Sequence, residues 1–185
     1  MPDHNSVLWS NEYLEQAYHD NWQQYLASLK HARQYTGAPV RPGAPGPGWD
    51  VCVLTASDER QAAMYRGQLD WRQSSGQLPR RTRFLVIPDP GGQRIGSGGA
   101  TLRVLDQLAA EADTLTSGRV LIIHSGGDSR RVPHCSATGK LFARLPRVFP
   151  DGRASTVFDE FLIGLSGLSS AALPPGVLIA SGDVL

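Results

Sequence analysis

Along residues 10–36 apolar side chains recur at three- and four-residue steps: Leu14, Tyr18, Trp22, Tyr25, Leu26 and Leu29. That period is helical and gives one broad aromatic and aliphatic face. Ser10 or Asn11 can cap the start. Glu12 and Glu15 suit the positive amino end, Lys30, His31 and Arg33 suit the other end, and Gly37 is a stop. Such a stripe can grip a partner or a base; the plainer expectation is that it docks on the chain's own domain or on a missing one. Residues 36–48 then hold four prolines and four glycines, which no helix or central strand survives. The chain therefore divides into a helical segment, 1–36, a linker, 37–48, and a domain, 49–185.

Within that domain the pattern alternates. The apolar run 51–54 predicts a buried strand, and Ser57 is expected to cap a helix that opens with Asp58 and Glu59 and runs to about Gln73. A second strand is predicted over 83–87. A second helix follows over 100–112, with Leu102, Leu105 and Ala109 on one side. A third strand covers 120–123, a helix 156–168 turns Phe158, Phe161, Leu162 and Leu165 inward, and a fourth strand covers 177–180. Strands that are apolar throughout and separated by helices argue for an α/β fold with a mostly parallel sheet covered on both faces.

Composition narrows the class. The 185 residues are 41% hydrophobic and 19% charged, which fits a single globular domain. Lys plus Arg number 18 against 17 Asp plus Glu. That balance excludes a polyelectrolyte that coats nucleic acid, so any phosphate must be met by locally placed cations. The two cysteines, Cys52 and Cys135, form neither a disulfide framework nor a Cys-x-x-Cys pair. The start has no basic and apolar leader pattern, and aliphatic runs of about four residues fall far short of the ~18 that span a membrane. The expectation is a cytoplasmic protein without membrane or nucleic-acid partners. The last residues, Ser181-Gly182-Asp183-Val184-Leu185, follow a strand directly, so the sheet is expected to carry an open edge and to continue in missing C-terminal domains of the same protein.

In open parallel sheets ligands bind beyond the carboxyl ends of the strands, and three such ends carry unusual sequences. After the second strand Gly96-Ser97-Gly98-Gly99-Ala100-Thr101 runs into a helix. Glycines there let backbone N–H groups approach an anion or a base edge. After the third, Gly126 and Gly127 allow close approach, Ser129 follows, Arg130 and Arg131 are forked cations, and Lys140 is a point charge after Gly139. After the fourth comes Asp183, a carboxylate placed to hold Mg²⁺ between phosphate oxygens. The pattern is neither a dinucleotide fingerprint nor a P-loop, and neither Ser125 nor Ser129 lies in a Gly-x-Ser-x-Gly elbow. His134-Cys135 is weak as a metal pair, and His124 reads as a structural residue ending a strand. Two glycine loops, the cationic cluster and Gly182-Asp183 on neighbouring strand ends suggest a nucleotide-phosphate site. The chemistry that needs only positioning and cations is phosphoryl or nucleotidyl transfer.

The motifs Gly96 to Leu102, Ile123 to Pro133, Ser136 to Lys140 and Ser181 to Leu185, together with Thr55 to Glu59 and Thr156 to Phe161, resemble the GDP-fucose pyrophosphorylase domain. That domain occurs alone or in bifunctional fucokinase/fucose-1-phosphate guanylyltransferase proteins, and here the likeness covers only its N-terminal part. The resemblance implies a Rossmann-like nucleotidyltransferase core, truncated after the fourth strand. It implies the reaction of GTP with a sugar 1-phosphate, fucose 1-phosphate, to GDP-fucose and pyrophosphate, with Mg²⁺. By the same resemblance Gly126, Gly127, Arg130 and Lys140 hold the triphosphate, and Arg130 and Lys140 offset charge as pyrophosphate leaves. Gly98 and Gly99 admit the nucleotide, Ser129 and Arg131 belong to the nucleotide cluster, and Asp183 binds the metal. Competing readings are an inactive nucleotide-binding or scaffold fragment, or transfer to a different sugar 1-phosphate.

Overall fold

The computed structural model describes residues 11–31, 48–111, 113–125, 139–149, 151–169 and 174–182. Helix α1 spans Asn11–His31; the remainder of the 10–36 helix and nearly all of the Pro/Gly linker lie outside the described residues. Then come β1 (Val51–Ala56), α2 (Glu59–Ser74), β2 (Arg83–Pro88), a 3-10 turn (Pro90–Gly92), α3 (Gly96–Ala109), the single turn α4 (Thr114–Ser117) and β3 (Arg119–His124). A second 3-10 turn (Lys140–Phe142), β4 (Arg144–Val148), β5 (Ala154–Thr156), α5 (Val157–Ser169) and β6 (Gly176–Ser181) complete the order.

Strands β2, β1, β3 and β6 lie side by side in that order, every pair parallel, with Val51 opposite both Arg83 and Val120, and Arg119 opposite Gly176. This is the mostly parallel, helix-flanked α/β sheet that the apolar strands predict, consistent with a Rossmann-like core. The two faces differ. Cys52, Leu54, Leu121 and Ile123 point to a large aromatic core shared with α2 (Tyr65, Leu69), α5 (Phe158, Phe161, Leu162) and α1 (Trp22, Tyr25). Val51, Val53, Val120 and Ile122 point to a smaller aliphatic core under α3 (Val104, Leu108). The aromatic stripe of α1 thus docks on this same fold: Trp22 stacks on Phe149 at 5.0 Å, and the Tyr25 hydroxyl donates to the Gln77 carbonyl. Beyond β3, the edge strand β6 leaves Val177 and Ile179 38% and 51% exposed on the α3 face.

Three local expectations are corrected. The cap of α2 is Asp58, not Ser57: its Oδ1 accepts from Gln61 N at 2.7 Å, while Gln61 Oε1 turns back to accept from Ser57 N at 2.9 Å. Helix α3 starts at Gly96, four residues before the expected Ala100, so Gly98 and Gly99 form its first turn instead of a loop. Glycine's low helix propensity hides such a start from sequence. Its buried side is Ala100, Val104 and Leu108, whereas Leu102 is 70% exposed. The antiparallel pair β4–β5 has no sequence signal, because Arg144, Pro146 and Arg147 interrupt any apolar alternation. Among the described residues no helix is long and apolar enough to cross a membrane.

Candidate active site

The carboxyl ends of β1, β2, β3 and β6 open into one cleft of about 320 Å³. Its floor is Thr55 and Ala56 from β1 with His124 and Ser125 from β3; Asp89 and Arg94 enter from the segment after β2, and Gly96 and Ser97 from the start of α3. Parallel strands place all these residues at one edge because each crossover returns the chain to the opposite end.

His124 is the best-connected polar group of the floor. Its Nδ1 lies 3.1 Å from Thr55 Oγ1, and its Nε2 lies 2.9 Å from Thr101 Oγ1. Thr55 and His124 are opposite residues of paired parallel strands, while Thr101 comes from α3. Burial lowers the pKa of His124 below its ordinary value, opposed in part by the negative charge of Asp89. The ring is therefore neutral at neutral pH, donating from one nitrogen and accepting at the other.

Of the sequence-predicted residues, Gly98 and Gly99 sit in the first turn of α3, beside the cleft. A Cβ on Gly98 would meet nothing within 4 Å among the described residues, whereas on Gly99 it would meet Ile95 Cβ at 2.8 Å; the residues of this helix that line the cleft itself are Gly96, Ser97 and Ala100. Lys140 opens the 3-10 turn on the aromatic side of the sheet. That turn is rigidly framed. Gly139 has φ +71°, and a Cβ there would fall 2.1 Å from Tyr65 Oη. Tyr65 meets Phe142 edge-on at 5.2 Å, and the Arg72 guanidinium lies 4.9 Å from the Phe142 ring centre. Arg72 is itself buried and forked onto Asp159, with Nε–Oδ1 3.2 Å and Nη2–Oδ2 3.3 Å, tying α2 to α5. Gly182 stands beside this turn: its N donates to the His124 carbonyl at 2.7 Å, and a Cβ would lie 2.6 Å from that oxygen. Gly126, Gly127, Ser129, Arg130, Arg131 and Asp183 lie outside the described residues, as do His134 and Cys135. The segment bearing the first five leaves the described fold at Ser125, on the cleft floor, and rejoins it at Gly139.

The sequence reading missed the Thr55–His124–Thr101 bridge, the Asp89 carboxylate as a cleft group, and Arg94. The signal was available only as a register relation, a Thr and a His ending neighbouring strands, which no one-dimensional motif expresses. Asp89 offers an oxygen donor that makes no ion pair among the described residues. No cluster of three His, Cys, Asp or Glu able to hold a metal occurs among the described residues.

The family profile described as fucose pyrophosphorylase domain matches residues 112–185. A fucose-1-phosphate guanylyltransferase from Mus musculus is 37% identical over 158 residues, covering 85% of this chain and 26% of the relative. A bifunctional fucokinase/GDP-fucose pyrophosphorylase from Arabidopsis thaliana is 37% identical over 190 residues, 89% of this chain and 17% of the relative. A fucose-1-phosphate guanylyltransferase from Homo sapiens is 38% identical over 121 residues, 65% of this chain and 20% of the relative. The chain thus spans about a quarter or less of the length of these relatives. No solved structure matches it. The resemblance carried by the motifs holds: the segment 112–185, with His124 on the cleft floor and the Lys140 turn, matches the fucose pyrophosphorylase domain family, and relatives of that name align with most of the chain.

Proposed function

We propose that this chain supplies the nucleotide-handling part of a fucose-1-phosphate guanylyltransferase, which converts GTP and fucose 1-phosphate to GDP-fucose and pyrophosphate. The observation that carries the proposal is the cleft at the carboxyl ends of four parallel strands, within a chain whose relatives bear that name. A phosphate oxygen of the sugar phosphate attacks the α-phosphorus, and the bond from the α-phosphorus to the oxygen bridging it to the β-phosphate breaks. The nucleophile comes with the substrate, so the protein needs no serine or cysteine of its own. Its work is to align two polyanions and to offset charge on the departing pyrophosphate.

The residues divide that work. The first turn of α3, which lines the cleft with Gly96 and Ser97 and continues through Gly98 and Gly99, directs backbone N–H groups at the nucleotide. Gly126, Gly127, Ser129 and Arg131 hold the triphosphate, and Arg130 with Lys140 offsets the leaving charge. The cleft suits Mg²⁺, a hard cation held in nucleotide sites by one or two carboxylates plus phosphates. Asp89 offers such an oxygen inside the cleft, and Asp183, one residue after the tightly packed Gly182, is the other candidate ligand. When bound, the metal neutralises charge on the phosphate oxygens. The reading includes a cytoplasmic location and, as partners, further domains of a longer protein, for which the name and length of the bifunctional Arabidopsis thaliana relative speak.

The test is a thermal melt of the 185-residue chain with Mg²⁺ and each of GTP, ATP, UTP and CTP. A ligand at ~100 times its dissociation constant adds about 2.7 kcal/mol, a rise of several degrees. The proposal expects a GTP-selective rise that Lys140→Ala removes. A cooperative melt that no triphosphate moves would reject it in favour of a scaffold.

A further inference from the structure

We infer that His124 is a positioning residue of the cleft, fixing the first turn of α3 against the end of β1 so that the nucleotide meets a preset backbone. The inference rests on the nucleotide reading above. Helix α3 begins without a side-chain cap, with Ile95 at the cap position, and with glycine at three of its first four residues, Gly96, Gly98 and Gly99. A start with three glycines and no side-chain cap hydrogen bond has little of its own, beyond Ile95 against Gly99, to hold it in place. Among the described residues a polar tie runs from the sheet to this helix start, Thr101 Oγ1 to His124 Nε2 at 2.9 Å, three residues and so nearly one turn beyond Gly98. The other face of the same ring is held by buried Thr55 at 3.1 Å. The main chain of His124 fixes a second element, since its carbonyl receives Gly182 N at 2.7 Å. One residue, only 8% exposed, therefore sets the glycine turn of α3 and the backbone that leads to Asp183 in one frame.

Two conservative replacements separate positioning from mere core filling. The amide of Gln reaches the place of Nε2 and keeps the tie to Thr101. The amide of Asn reaches only the place of Nδ1 and keeps the tie to Thr55. Mg²⁺-GTP affinity is measured by calorimetric titration of the full chain, with the melting temperature of each variant recorded alongside. His124→Gln is expected to stay within about twofold of the original affinity. His124→Asn is expected to fall about fivefold, the size of one lost hydrogen bond. Thr101→Val, a half-buried helix position that the fold tolerates, is expected to fall by the same factor, and combining it with His124→Asn costs nothing further. Equal affinities for the Gln and Asn variants, or a Thr101→Val chain that binds as the original does, would overturn the inference while leaving the nucleotide site standing. A chain that binds neither GTP nor any other triphosphate would remove the nucleotide reading and the positioning role together.

Discussion

The same four strands end in two contrasting ways, about 20 Å apart for six-residue strands. At their amino ends polar groups close on one another. Asp50, buried just before β1, accepts from Arg81 Nη2 at 3.0 Å and from Arg119 N at 2.9 Å, while its own backbone bridges to β2 and β3. Thr82 Oγ1 donates to the Trp49 carbonyl at 2.6 Å. At their carboxyl ends the hydroxyls, the imidazole and a carboxylate surround open space. Burial without a ligand demands internal partners, and Asp50 and Thr82 at the amino ends find them, while Trp49 Nε1 is buried there without a hydrogen-bond partner among the described residues. The carboxyl ends pair His124 with Thr55 and Thr101 but line an open cleft that also holds the Asp89 carboxylate, and such a cleft is the condition for binding something else there.

The largest effect is expected from breaking the closed end. Asp50→Ala leaves the Arg81 and Arg119 side chains, 5% and 11% exposed, without their shared carboxylate. Removing one member of a buried ionic cluster costs about 3–5 kcal/mol. Urea unfolding should show that loss, and GTP affinity of the folded chain should hold within about twofold. A loss below about 1 kcal/mol would mean that Asp50 does not hold the amino end together as described.

The open end divides further, into a rigid frame and a free surface, and two glycines measure the division. Gly139→Ala forces a left-handed φ on a side chain and drives its Cβ to 2.1 Å from Tyr65 Oη. The expected cost is about 2–3 kcal/mol, with Lys140 displaced and GTP affinity lowered too. Gly98→Ala meets nothing within 4 Å among the described residues. Stability should stay level or rise by up to about 1 kcal/mol, as for Gly to Ala in a helix, while GTP affinity falls because the added methyl occupies ligand space. Denaturation and titration of both variants decide it, and parallel behaviour would erase the distinction.

This contrast tracks what could be read in one dimension. The sheet was legible because each strand is apolar throughout, and the α5 face because Phe158, Phe161 and Leu162 recur at helical steps. The β4–β5 ribbon was not, since Arg and Pro dominate β4. The start of α3 was hidden by its glycines. The His124 bridge depends on register between strands that lie far apart in sequence, Thr55 opposite His124, and register is a property of the packed sheet.

The smallest expected effect sharpens the comparison by pH. Burial holds the His124 pKa below its ordinary 6.5, despite the opposing charge of Asp89. The unfolded chain therefore takes up a proton on this residue before the folded chain does. Linkage then fixes the sign: the contribution is fully present above pH 6.5 and is lost as pH falls through the lower folded-state value. No such dependence attaches to His124→Gln, which keeps a neutral polar group on the cleft floor. Urea midpoints followed from pH about 7.5 down to about 5.5 should therefore fall more steeply for the original chain than for the Gln variant. The two curves should converge on the acid side if the variant begins slightly less stable. Curves that stay parallel would show that the ring gains its proton equally in both states, and that the carboxyl end is wetter than its hydrogen bonds imply.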